Sequence, residues 1–242
     1  MRLRTLTATL SLSLSLALVG SATNAGWAAA PVRAPSVVSA SAVVRAFDST
    51  ATITDPAWFA SMKARGFGLY VLHSTSWGTC DPWWRAQVQA QMALKAGLRI
   101  AAYTRDPRCW RTGITALGPY ASQLQFFALD VETDPGVPVT REMVDGVRAL
   151  GVRPVIYSGS GMWPQVMGGS TAFSDVPLWD ANAVYGTTLS SWKPSMKSPA
   201  AQPYGGWNTG AGTARVGLQQ RFEVKVQGVP VDLNTFAASF LR

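Results

Sequence analysis

Between residues 43 and 157 the chain alternates short apolar runs with longer stretches of helical spacing. The runs Val43–Phe47, Phe67–Leu72, Leu98–Tyr103, Phe126–Val131 and Pro154–Tyr157 are continuous, the pattern of strands covered on both faces. The stretches between them carry helix punctuation. Asp55–Arg65 has Pro56 at a first-turn position and Gly66 behind it. Pro82–Ala96 is closed by Gly97, Ile114–Leu124 reads as a helix, and Thr140–Leu150 is capped by Thr140 and stopped by Gly151. This β-then-α repetition predicts parallel strands. After about residue 170 the rhythm changes. Pro177–Ala181, Tyr204–Trp207, Val216–Gln220 and a last strand within Val229–Phe236 follow one another with only Gly-, Pro-, Ser- and Trp-rich loops between them. The simplest account is an α/β barrel of TIM type, with helices on its first part and bare strands on its last. An open Rossmann-like sheet would need a G-x-G-x-x-G after the first strand, and none is there.

The N-terminus changes the picture of the compartment. Arg2 and Arg4, the apolar run Leu6–Val19 and the small residues that follow predict a secretory signal over 1–30, cleaved after Ala25 or Ala30. The run is too short and too interrupted by Ser and Thr to span a bilayer, which needs roughly 20 apolar residues. Residues 31–42, rich in Pro, Ser and Ala, read as a short linker, and 43–242 as the barrel domain. The expected location is extracellular or cell-wall associated. The 242 residues carry 21 Lys and Arg against 13 Asp and Glu. Loss of the leader removes two arginines and no acid, so the chain stays basic, which suits an anionic partner. No Lys/Arg run or nucleic-acid motif points to DNA or RNA. Charged residues make up 14% and apolar residues 48%, which excludes intrinsic disorder. With two cysteines and one histidine, Cys-based zinc and poly-His metal centres are excluded. In an oxidising compartment Cys80 and Cys109 are expected to pair. Their bridge closes a loop of about 30 residues, worth roughly 3–4 kcal/mol in the chain-entropy picture.

In parallel βα architectures chemistry gathers at the C-terminal ends of strands. Asp48 ends the first strand, Asp130 and Glu132 end the fourth, and Asp232 lies near the end of the last. Because strand side chains alternate, Asp130 and Glu132 point to the same side, into the barrel mouth. Two carboxyls close together behind an apolar run raise one proton affinity, so one can act as an acid while another stays charged. Glycosidic bond cleavage needs that division of labour. The alternative for this pair is an acid bonded to Arg99 or Arg105. Trp77, Trp83, Trp110 and Trp163 follow strands and could stack on sugar faces. Ser158-Gly159-Ser160-Gly161 lacks the first Gly of a nucleophile elbow. His73 could serve a Ser triad only in principle, and Asp81 and Asp134, each before a Pro, read as turn residues.

Several segments together resemble the glycoside hydrolase family 25 lysozymes, the N-acetylmuramidases, over roughly residues 43–240. These are Ala46-Phe47-Asp48-Ser49, Phe127-Ala128-Leu129-Asp130-Val131-Glu132, Pro154-Val155-Ile156-Tyr157-Ser158-Gly159 with Trp163, and Leu178-Trp179-Asp180-Ala181 followed by Gln219-Gln220 and Val231-Asp232-Leu233-Asn234-Thr235-Phe236. The resemblance implies five βα units followed by three strands with little helix. It implies cleavage of the β-1,4 bond between N-acetylmuramic acid and N-acetylglucosamine in peptidoglycan. Glu132 would be the general acid, Asp130 would hold charge or orient the substrate's N-acetyl group, and Asp48 and Asp232 would tune proton affinities. Tyr157, with Tyr103, Trp163 and Trp179, would contact the sugar. No metal or organic cofactor is implied, and the expected partner is a cell-wall glycan, without nucleic acid or stable membrane insertion, bound by a monomer. The chain departs from the family pattern at Thr50-Ala51-Thr52, at Tyr103-Thr104-Arg105-Asp106 and at Asp180. These departures motivate a second reading, a wall-glycan binding module without catalysis. A chitinase pattern would need an Asp at position 128, where Ala128 stands.

Overall fold

A computed structural model describes residues 42–185, 188–197, 202–207 and 215–242. The expected leader and almost all of the expected linker lie outside the described residues. Eight strands close a barrel in chain order: β1 (Val43–Ser49), β2 (Phe67–His73), β3 (Arg99–Thr104), β4 (Leu124–Asp130), β5 (Pro154–Ser158), β6 (Leu178–Tyr185), β7 (Arg215–Val226) and β8 (Val229–Ala237). Helices α1 (Pro56–Ala64), α2 (Ala86–Lys95), α3 (Trp110–Thr115), α4 (Arg141–Ala149) and α5 (Trp163–Met167) follow the first five strands in turn. The expected architecture of βα units followed by nearly bare strands is therefore observed.

β1 to β7 run parallel, whereas β8 is antiparallel to both β7 and β1. The reason is local. Only Gln227 and Gly228 separate β7 from β8, with φ of 50° and 81°, the paired positive values of a tight hairpin turn. A two-residue turn cannot return the chain for a parallel pairing.

The helix punctuation acts as expected in α1. The Asp55 side chain accepts from the Ala57 N–H at 2.8 Å, and Trp58, Phe59 and Met62 are buried against the barrel. α2 starts four residues later than its sequence pattern predicts. Pro82 pairs with Thr75 in an antiparallel bridge, and the Trp83 N–H bonds to the Ser74 carbonyl, so residues 74–85 form a loop folded back on the end of β2. The Cys80–Cys109 disulfide ties that loop to the start of α3. The helix expected over Ile114–Leu124 is divided: α3 ends at Thr115, and Gly118 and Pro119 open a separate 3-10 turn. Tyr204–Trp207 is a single bridge outside the barrel rather than a strand. Its residues cover β6: the Tyr204 hydroxyl donates to Asp180 at 2.9 Å, and the Trp207 N–H to the Val176 carbonyl at 2.8 Å. Asp180 does not interrupt β6, because its side chain points outward to Tyr204 and to Arg215 at 3.2 Å.

The core has two shells. One packs helices against the outside of the barrel. The other fills the lumen, where small Ala46, Ala101 and Ala128 leave room for Phe126, Trp179 and Phe236. The lower lumen is thus a packed core rather than a pore, and polar chemistry is confined to the mouth.

Candidate active site

The mouth is the end where β1 to β5 finish. Asp48, one residue from the end of β1, is the register partner of Asp232 on β8. Asp232 lies in the first half of its strand, not near its end as the sequence reading had it. The antiparallel direction of β8 brings this early position to the same rim. Asp130 ends β4 beside Tyr157 of β5. The Val131 N–H donates to the Tyr157 carbonyl at 2.9 Å, and the Ser158 hydroxyl to the Val131 carbonyl at 2.7 Å. The chain past Asp130 therefore stays in sheet register, which keeps Glu132 on the face of Asp130.

Two relays hold the β1–β8 acids. The Trp179 N–H donates to Asn234 Oδ1 at 2.9 Å. An indole nitrogen only donates, so this bond fixes which way the amide points. Asn234 Nδ2 then donates to Asp48 Oδ1 at 2.6 Å. In the second relay the Tyr157 hydroxyl donates to Gln219 Oε1, and Gln219 Nε2 donates to Asp232 Oδ2 at 2.9 Å. The Glu223 N–H completes the shell of Asp232 at 2.8 Å. Asp130 differs: its Oδ1 is buried and has no hydrogen-bond partner among the described residues. Glu132 is the most open of the four, with its side chain 21% exposed, and Arg105 Nη1 lies 3.6 Å from its Oε2. Arg105 also donates to the Asp134 carbonyl and carboxylate at 3.0 and 3.2 Å and stacks 3.9 Å from the Trp77 ring.

These surroundings raise all four carboxyls. Burial pushes Asp48 well above the usual carboxylate range, and the charge of Asp232 adds to it against the Asn234 hydrogen bond. Burial and Glu132 raise Asp130. Burial raises Glu132, with Arg105 pulling the other way. Burial lifts Asp232 from 3.8 to about 6. His73, packed with its ring tilted against Trp83 and Tyr103, is pushed by burial and by Arg105 down to about 4, so it is neutral at pH 7.

The four acids are brought together. Tyr103 and Tyr157 floor the mouth, both almost fully buried. The tryptophans divide. Trp77 is exposed beside Arg105 and Trp83 borders His73. Trp163 is not a sugar contact. It has no exposed surface, packs on Trp207 and Phe173, and donates its N–H to the Ser170 carbonyl. Trp179 is likewise corrected: it fills the lumen beneath the acids and orients Asn234. Trp110 lies flat on Gly146 of α4, where a Cβ would come within 2.4 Å of its ring, so it faces the helix layer. Gln219 and Asn234 received no role from the sequence. Their signal was present in part, since Asn234 stands two residues from Asp232 on the same strand face. Of the arginines proposed to bond the acids, Arg105 does so, whereas Arg99 starts β3 at the opposite end. Asp134, read as a turn residue, also pairs with Arg105. Among the described residues no cluster of three His, Cys, Asp or Glu side chains could hold a metal ion.

No family model matches the chain. Among curated proteins, Counting factor 50 of Dictyostelium discoideum is 32% identical over 98 residues, which are 40% of this chain and 28% of that protein. The chain thus spans little more than a quarter of that relative's length. Among solved structures, the muramidase from Acremonium alcalophilum superposes with a TM-score of 0.53 at 20% identity, covering 80% of this chain and 93% of that one. The lysozyme from Streptomyces coelicolor superposes with a TM-score of 0.55 at 19% identity, covering 82% and 94%. The closed barrel, its order of elements and these superpositions establish a fold of the glycoside hydrolase family 25 lysozyme type.

Proposed function

We propose that this chain is a glycoside hydrolase of muramidase type, which cleaves the β-1,4 bond between N-acetylmuramic acid and N-acetylglucosamine in peptidoglycan. The reading rests above all on one observation: an accessible Glu132, whose proton affinity burial raises, beside the buried Asp130, whose Oδ1 has no hydrogen-bond partner among the described residues. That two solved structures of this fold are a muramidase and a lysozyme supports it. Glu132 delivers its proton to the glycosidic oxygen as the C1–O bond breaks. The unpartnered oxygen of Asp130 accepts the acetamido N–H of the substrate. Asp232, which gives up its proton at about 6, supplies negative potential under the sugar, which favours the cationic character of the transition state, and Asp48 opposite it tunes that charge. Water then adds to C1, and its proton returns to Glu132. Tyr103, Tyr157 and the exposed Trp77 bound the sugar site. The protein would reach its substrate through the signal at 1–30, with 31–42 as linker, and act outside the cell as a monomer.

A second reading, a wall-glycan binding module, draws on Arg105. A cation beside Glu132 lowers its proton affinity and so works against its keeping the proton that a general acid must deliver. Mass spectrometry of purified peptidoglycan after incubation with the protein separates the two, with Glu132→Gln in parallel. New muropeptides with reducing-end N-acetylmuramic acid, absent with the variant, establish the hydrolase. Folded protein that pellets with walls and releases nothing establishes the binding module instead.

A further inference from the structure

At the end of the barrel opposite the carboxyls, the starts of β1, β2 and β3 and the ends of α1 and α2 enclose a groove of about 550 Å³. Arg45, Lys63 and Arg99 line it, and no acid does. Among the described residues none of the three has an ion-pair partner. All 13 acids of the chain fall within the described residues, so no other part of the chain can neutralise them.

Ordinary structural roles account for only part of this charge. Lys63 sits in the last turn of α1 and answers the helix dipole. Arg45 and Arg99 lie at strand starts, where there is no dipole to answer. The Arg45 guanidinium is held over the rings of Phe67 and Trp192, at 4.8 and 5.0 Å, and its buried Nε has no hydrogen-bond partner among the described residues. The floor between the cations is bare, being formed by Gly66, Gly68 and Gly97. Gly66 and Gly97, with φ of 84° and 80°, are the left-handed residues that close α1 and α2. Helix termination and an open floor thus come from the same residues.

We propose that this groove binds the phosphates of a phosphodiester polymer and anchors the protein on an anionic surface while the mouth stays free. Cations reaching in from three different elements match an anion with oxygens on several sides, and the guanidinium fork suits phosphate geometry. Exposed Arg65 and Lys95, also without ion-pair partners among the described residues, extend the cationic face past the groove, farther than one ion reaches. The proposal does not depend on the activity at Glu132.

The test is fluorescence anisotropy of a labelled glycerol-phosphate oligomer titrated with the full chain. Lys63→Glu/Arg99→Glu reverses two exposed groove cations without touching the core, and Lys225→Glu/Arg111→Glu changes the net charge equally elsewhere. Saturable binding is expected, weakened at least 10-fold by the groove pair and less than 2-fold by the control pair. Three neutralised phosphates predict a slope of about −2 for log K against log salt. Equal weakening by both pairs would overturn the proposal in favour of net charge, and so would absence of saturable binding. Inorganic phosphate competing as well as the oligomer would overturn the polymer as ligand, and polyglutamate binding equally well would overturn the preference for phosphate. Glu132→Gln is expected to bind like wild type, which keeps the outcome separate from catalysis.

Discussion

The two ends of the barrel handle charge in opposite ways. At the mouth, four acids sit in or beside the lumen: Asp48, Asp232 and Glu132 are held by Asn234, Gln219 and Arg105, and Asp130 stands among them with a bare oxygen. At the base, Arg45, Lys63 and Arg99 have no ion-pair partner among the described residues. A buried charge is costly unless its oxygens are satisfied, so the acids held by these relays depend on their partners. A solvated cation has its partner in water and is nearly independent of its neighbours. The lesson is that substitutions at the mouth should be large and coupled, and those at the base small and additive.

The largest effect expected is on turnover. Glu132→Gln removes the proton donor and should lower kcat on peptidoglycan by about 10²–10⁴-fold with an unchanged urea midpoint. A variant of near-wild-type rate would move the acid elsewhere. Asn234→Leu comes next, because it strands the Trp179 N–H and takes a donor from Asp48. About 1–3 kcal/mol of stability should be lost in urea denaturation. A loss under 0.5 kcal/mol would mean the relay is not a network.

The third test uses pH. Asp232 keeps its proton in the folded chain to about 6 rather than the ordinary 3.8, so the folded state binds that proton more tightly than the unfolded one. Its contribution is full below about pH 4 and is lost as pH rises to about 6, a change of about 1–3 kcal/mol. Asp232→Asn, which still accepts from Glu223, should flatten the wild-type decline over that window, and parallel profiles would clear Asp232 of the effect. Arg105→Gln should have a smaller effect. Without the cation, Glu132 holds its proton to higher pH, so the alkaline limb of the activity profile moves up. A limb that stays put or moves down would show that Arg105 does not act on the acid. The smallest change belongs to the base, where Lys63→Glu should alter stability by less than about 0.5 kcal/mol.

Much of the scaffold was legible along the chain, because strand runs, helix caps and closing glycines are local signals. The errors share a cause. Pro82–Trp83 reads as a helix start, but a bridge to Thr75 and the disulfide loop claim those residues. Trp163 reads as a sugar platform because it follows a strand, and Trp179 takes a sugar contact from the resemblance, while the Trp163 ring is packed on Trp207 and Trp179 is bonded to Asn234 in the lumen. Position after a strand says which end of the barrel a residue occupies, but not whether its side chain turns to the lumen, the helix layer or the solvent.

By itself, then, the sequence determined the elements, the shared face of Asp130 and Glu132, and the chemistry available at each strand end. Periodicity and turn residues act within a few positions of one another, and these are consequences of that range. Closure decided the rest. The Gln227-Gly228 turn reverses β8, and only the pairing of β1 with β8 puts Asp232 against Asp48, residues that stand at opposite ends of the chain. The amide relays and the grip of Arg105 on Glu132 likewise join side chains from different strands and loops. Such meetings are set by cross-strand register, a property of the closed sheet that no local stretch of sequence contains.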